Sequence, residues 1–64
     1  RSLILLKSNR FYGALCIEMK KPGEYQRPVQ KEWQKECEAA GNKYVVVRSL
    51  EEFIEVVNGY LAEI

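Results

Sequence analysis

Histidine is missing from these 64 residues, and so is aspartate: all nine acidic residues are glutamates. Without histidine, a histidine-based triad or a histidine-rich zinc site is excluded within the chain. Cysteine is scarce. Cys16 and Cys37 are the only two, 21 residues apart, with no CxxC or other metal spacing. A small secreted scaffold usually carries more. Both lie in apolar-facing patterns and read as buried reduced thiols, which points to a cytoplasmic location. Long hydrophobic runs are also absent. Nothing approaches the roughly 18 apolar residues of a membrane span, and there is no signal-peptide pattern. Excess charge is missing too: the net charge of +1 gives no global steering toward nucleic acid. Any attraction to phosphate must be local.

What is present is globular in composition, 47% apolar and 30% charged. A chain this short holds one domain, spanning residues 1–64. Such a domain buries only about 60% of the surface its unfolded chain exposes, so its core is thin. The two halves differ in sign. Lys7, Arg10, Lys20, Lys21 and Arg27 lie early, whereas eight of the nine glutamates lie from Glu24 onward. A solvated surface explains this asymmetry as readily as a binding face does.

Leu3-Ile4-Leu5-Leu6 is a continuous apolar run and reads as a buried strand. Ser8-Asn9-Arg10 is turn material, and Gly13 marks the restart. From Ala14 to Lys20 the pattern alternates: Leu15, Ile17 and Met19 point one way, and Ala14, Cys16, Glu18 and Lys20 the other. The two strands should form a hairpin around Arg10. Lys21-Pro22-Gly23 ends the second strand. Pro28 suits the first turn of a helix whose apolar face carries Val29, Trp33, Cys37 and Ala40. Gly41-Asn42 closes that helix as a left-handed cap. Lys43 to Val47 is β-branched and reads as a third strand, buried on both faces. Ser49 with Glu52 is a capping box for a last helix, whose apolar face is Leu50, Phe53, Ile54, Val57, Tyr60 and Leu61. The order is strand, strand, helix, strand, helix. The last strand should run parallel to the second through a right-handed crossover. This predicts an α/β layer with an exposed edge.

The feature that can carry chemistry is Ile17-Glu18-Met19-Lys20. Glu18 and Lys20 are two apart on a strand, so both project from one face, about 6–7 Å apart. They lie at the strand's C-terminal end, where crossover sheets place ligands. A carboxylate there can hold a divalent cation, and an ammonium beside it can orient a water and neutralise a phosphate. The ordinary alternative is a solvent-facing Glu–Lys pair, for E-x-K occurs everywhere. Against it stands the upstream row of Ala14 and Cys16, which makes Glu18 the rim of a core-facing stripe. Gln30, in the first helical turn, is placed to reach back toward Glu18 or Lys20, or to sit on the surface. Lys21, Tyr25 and Arg27 share the loop; a base can stack on the aromatic and a phosphate meet the cations, or all three are plain loop residues.

The segment from Gly13 through Ile17-Glu18-Met19-Lys20-Lys21-Pro22-Gly23 resembles the central motif of the virus-type replication-repair nuclease (VRR-Nuc) domain. So do Gln30-Lys31-Glu32-Trp33, Ala40-Gly41 and Val45-Val46-Val47-Arg48-Ser49. That family belongs to the PD-(D/E)xK nuclease superfamily, and the resemblance runs from Leu3 to Leu61. It implies a restriction-endonuclease-like core, here a fragment ordered β-β-α-β-α with a mixed sheet and helices packed on it. It implies a DNA endonuclease or phosphodiesterase acting on structured or branched DNA in replication or repair, with Mg²⁺ or Mn²⁺ as cofactor. Glu18 would be the metal-ligating acid, the Met19 backbone carbonyl a second ligand, Lys20 the lysine that activates the water, and Gln30 the helix glutamine beside the site. Stand-alone members form homodimers, so a homodimer in a bacterial or phage-infected cell is implied.

The chain departs from the family at one important point. The family carries an aspartate, in G-x-P-D, on the preceding strand. Counting back 16 residues from Glu18 lands on Ser2, with Arg1 where the proline would be. If the turn is symmetric about Arg10, Ser2 faces Glu18 across the strands. The second metal acid is therefore missing, and the expectation is a domain truncated at its N-terminus, weakly active or inactive as it stands. Two rivals remain. One is a non-catalytic nucleic-acid-binding or assembly module that keeps the nuclease scaffold. The other is an ordinary small α/β interaction domain with a coincidental motif.

Overall fold

The computed structural model describes residues 2–64; Arg1, the position aligned with the family's proline, lies outside the described residues. The elements are β1 (Ser2–Leu5), β2 (Leu15–Met19), α1 (Pro28–Ala39), β3 (Lys43–Val47) and α2 (Leu50–Leu61). The order β-β-α-β-α is the one read from the sequence. The three strands form one mixed sheet in the order β1-β2-β3. β1 pairs antiparallel with β2, and Ser2 stands opposite Glu18, as hairpin symmetry required. β2 pairs parallel with β3 in a register that runs from Leu15↔Lys43 to Met19↔Val47. Ladder bonding continues beyond the strand ends, from Lys43 N–H to Ala14 O (2.9 Å) and from Lys20 N–H to Val47 O (2.9 Å). Among the described residues no helix is long and apolar enough to cross a membrane.

Strand alternation sends β2 into two cores. Leu15 and Ile17 pack with Val47 and Tyr60, joined by Leu5, Val45, Phe53, Val56 and Val57, so this face belongs to α2. Cys16 packs with Cys37, Tyr44 and Val46 on the opposite face, beneath α1. The hairpin loop is tied to the end of α2. Asn9 Oδ1 accepts from the amides of Phe11 (2.9 Å) and Tyr12 (2.8 Å), while its Nδ2 donates to Tyr60 O (3.0 Å). The buried Tyr60 hydroxyl in turn donates to Lys7 O at 2.5 Å.

Several expectations of burial need correction. β1 is not a buried strand: Ser2, Leu3 and Ile4 are exposed and Leu5 is half-buried. It is an edge strand, and the residues packed from the helices lie over β2 and β3. β3 is the other edge, so only Tyr44 and Val47 are buried and Val45 and Val46 are half-buried. On α1, Cys37 is the only buried residue. Val29 and Ala40 are exposed, and Trp33 retains 36% of its surface. On α2, Leu50, Ile54 and Leu61 face outward, and Val56 takes a place in the core. Each helix rests over β2 and β3, so the flank of each stripe stays wet.

The caps follow local chemistry. Gly41 has φ +86°, the left-handed conformation expected after α1. Ser49 Oγ accepts from Glu52 N–H (3.1 Å), but the Glu52 carboxylate accepts from Arg48 N–H (2.6 Å), one residue before the position a reciprocal box would use.

Candidate functional site

β2 is the central strand, and its exit end carries Glu18 and Lys20 on the α1 face. The structure buries both. Glu18 is fully inaccessible, and the Lys20 side chain keeps 4% of its surface. The solvent-facing alternative is thereby removed. Lys20 Nζ lies 3.4 Å from Glu18 Oε2. Glu18 Oε1 accepts a hydrogen bond from the Tyr44 hydroxyl, which reaches in from β3. Among the described residues Oε2 has no hydrogen-bond partner, so its one compensating neighbour is the ammonium.

A buried ion pair is a poor stabiliser, because desolvating two charges costs as much as their attraction returns. Replacing such a pair by apolar groups of similar volume is often neutral or stabilising. Packing alone therefore does not account for the pair, and one carboxylate oxygen is left without a donor.

Tyr44 was not a candidate from the sequence, where it reads as one member of a β-branched strand. Its signal was register: in a parallel pair it sits beside Cys16 on the Glu18 face. Burial, and then the hydrogen bond to Glu18, push its phenol well above the usual tyrosine range, with the nearby Gln26 side chain opposing. Trp33 stands edge-on to it, ring centroids 5.8 Å apart at 85°. Behind them Cys16 and Cys37 face each other, Sγ to Sγ 2.9 Å, both free thiols. Burial first, then the neighbouring Cys37, push Cys16 up to about 11.

The loop after β2 turns through Lys21-Pro22-Gly23-Glu24. Glu24 N–H donates to Lys21 O (3.0 Å), with Gly23 at φ +83°, the arrangement a type II turn requires. Glu24 Oε1 accepts from Lys21 N–H (2.9 Å). This bond, with Lys20, Lys21 and Arg27 nearby, holds the Glu24 carboxyl below its ordinary range. Arg48, at the end of β3, clasps the same loop by donating from Nη2 to Glu24 O (3.0 Å). Two hollows open here at the carboxyl ends of the parallel strands. One is lined by Met19, Lys20, Val47, Arg48, Ser49 and Leu50, the other by Met19, Lys20, Lys21 and Glu24. Lys20 lines both.

Of the other candidates, Lys21, Tyr25 and Arg27 are exposed along this loop, Tyr25 to 84%. Gln30 is occupied differently from the expectation: its Oε1 accepts from Arg27 N–H (2.8 Å) and caps α1. The helix needs acceptors for its first amides, and Arg27 at the cap position supplies no short side-chain oxygen.

For a divalent cation, the resemblance offers Glu18 and the Met19 backbone carbonyl, and Glu18 Oε1 is already held by Tyr44. Magnesium takes six in near-octahedral array. No group of three or more Cys or Glu side chains able to hold a metal exists among the described residues, and Ser2 stands opposite Glu18. The residues described thus do not complete a cation site. Comparison of the chain with models of protein families, with curated proteins and with solved structures gave no match.

Proposed function

We propose that this chain carries the Glu-x-Lys part of a VRR-Nuc-type site, on a restriction-endonuclease-like core of the PD-(D/E)xK superfamily. The protein would hydrolyse phosphodiester bonds in structured or branched DNA, with Mg²⁺ or Mn²⁺ as the metal. The observation that supports this most is the buried Glu18–Lys20 pair at the exit end of the central strand, with Glu18 Oε2 left without a hydrogen-bond donor.

The residues can act as follows. Tyr44 fixes one oxygen of Glu18, which turns the other toward Lys20. Glu18 in turn holds the ammonium at the wall shared by the two hollows. A phosphate entering either hollow meets a positive charge already desolvated and oriented. Such preorganised charge is worth more than the same charge in water, because nothing has to reorganise as negative charge develops on phosphorus oxygens. The ammonium can also donate to an attacking water and hold it in line. Lys21, Tyr25 and Arg27 flank the entrance and suit the adjoining backbone and bases. Because two protein oxygens fall short of a cation's needs, no step is assigned to the metal. In this reading a second chain pairs with the exposed β1 edge, where Leu3 and Ile4 are half open.

A second reading, a nucleic-acid-binding or assembly module that keeps the nuclease scaffold, is favoured by Ser2, which puts a hydroxyl where the resembled site carries an acid. One experiment separates the two. The protein is mixed with labelled branched DNA and Mn²⁺, and both retention and cutting are scored. The nuclease reading expects cutting that Lys20→Met, verified as folded by circular dichroism, removes. Retention without cutting establishes the binding module instead.

A further inference from the structure

We propose that Cys16 and Cys37 are a redox-active dithiol, closed to an intramolecular disulfide by a small hydroperoxide. The two residues come from different elements, the central strand and α1, and are the only cysteines in the chain. Their sulfurs face each other at 2.9 Å, with both residues buried. A disulfide bond is about 2.05 Å long, so closure shortens the sulfur–sulfur distance by only about 1 Å. No other thiol competes for either partner.

The reaction balances with peroxide as the oxidant. One thiol sulfur attacks a peroxide oxygen as its proton passes to the departing oxygen; the O–O bond breaks, and the cysteine becomes a sulfenic acid as water leaves. The second thiol sulfur attacks that sulfur as its own proton passes to the leaving oxygen, the S–O bond breaks, and a second water leaves. The two thiols lose two electrons and two protons, and the peroxide takes them. A thiol reductant returns both sulfurs by exchange.

The bond would close a 21-residue loop and staple α1 to the strand that carries Glu18, two residues along the same face. It would fix the helix that bears Trp33 against Tyr44. The inference needs no nuclease activity and stands whether or not the chain cuts DNA.

The test uses the folded wild-type chain. It is treated with hydrogen peroxide, then denatured and exposed to iodoacetamide, and the intact mass is read. The expected product is a monomer lighter by two hydrogens, with neither cysteine alkylated, that dithiothreitol returns to the doubly alkylated form. Its Tm should exceed that of the reduced protein by on the order of 10 °C, given the loop that is closed. Cys37→Ala should show no such rise. Two alkylated cysteines after peroxide would overturn the proposal, and so would disulfide-linked dimers or sulfinic acid in place of the internal bond.

Discussion

Lys20 Nζ and Glu18 Oε2 lie 3.4 Å apart in a place that solvent barely reaches, two residues from each other on the central strand. Removing one partner leaves the other charged and buried. Lys20→Met is therefore expected to destabilise the fold by about 3 kcal/mol or more, and Glu18→Gln/Lys20→Met together by less than the sum of the two single changes. Urea unfolding of the four proteins measures this. Equal, additive losses would mean that the pair is not coupled.

Tyr44→Phe keeps the ring beside Trp33 and removes only the hydroxyl that donates to Glu18. Both carboxylate oxygens then lack a hydrogen-bond donor. The expected cost is about 1–3 kcal/mol, read as a lower urea midpoint at unchanged slope. A midpoint equal to wild type would show that the hydroxyl does not hold the carboxylate.

Gly41 separates backbone strain from crowding. A Cβ built there meets nothing within 4 Å, yet φ is +86°. Gly41→Ala should cost about 1–2 kcal/mol from the left-handed backbone alone. Gly59→Ala, in the exposed part of α2 with open space around it, should instead stabilise by about 1 kcal/mol. Thermal melts that reversed these signs would contradict the assigned backbone.

Alkaline stability follows from two buried acids. Cys16 and Tyr44 both have raised pKa values in the folded state, chiefly from burial. Above pH 9 the unfolded chain loses these protons first, so it binds fewer than the native state and stability falls as pH rises. The contribution is fully present below pH 9 and lost progressively toward pH 11 and beyond. Urea midpoints that stay level from pH 8 to pH 11 would contradict this.

Much of this arrangement was legible in the sequence. Alternation in Ala14–Lys20 set the faces of β2, and the turn around Arg10 set the register that brings Ser2 opposite Glu18. Pro28, Gly41 and Ser49 marked helix ends that the structure keeps. Depth was not legible. Alternation says which way Glu18 points but not how much covers it, and that depends on where α1 lands. The same reason hid the contact of Cys16 with Cys37, which read as two separate thiols, and the reach of Tyr44 across one strand spacing. The capping bond of Gln30 to Arg27 N–H was not legible either, because it arises where the cap residue itself, Arg27, offers no short side-chain oxygen. The outward flanks of α1 and α2 look like core in the sequence because periodicity assigns a stripe without showing which part of it the sheet covers.

Glu18, seated by Tyr44 and Lys20, is proposed as the acid of a phosphodiester-cleaving site. The most direct measurement is the rate of Mn²⁺-dependent cleavage of one labelled branched DNA by wild type and by Glu18→Gln, both verified as folded by circular dichroism. Wild type, with Ser2 in place of the second acid, is expected to cut slowly, and Glu18→Gln to be slower still by on the order of 100-fold or more. Cleavage by Glu18→Gln at the wild-type rate would contradict it.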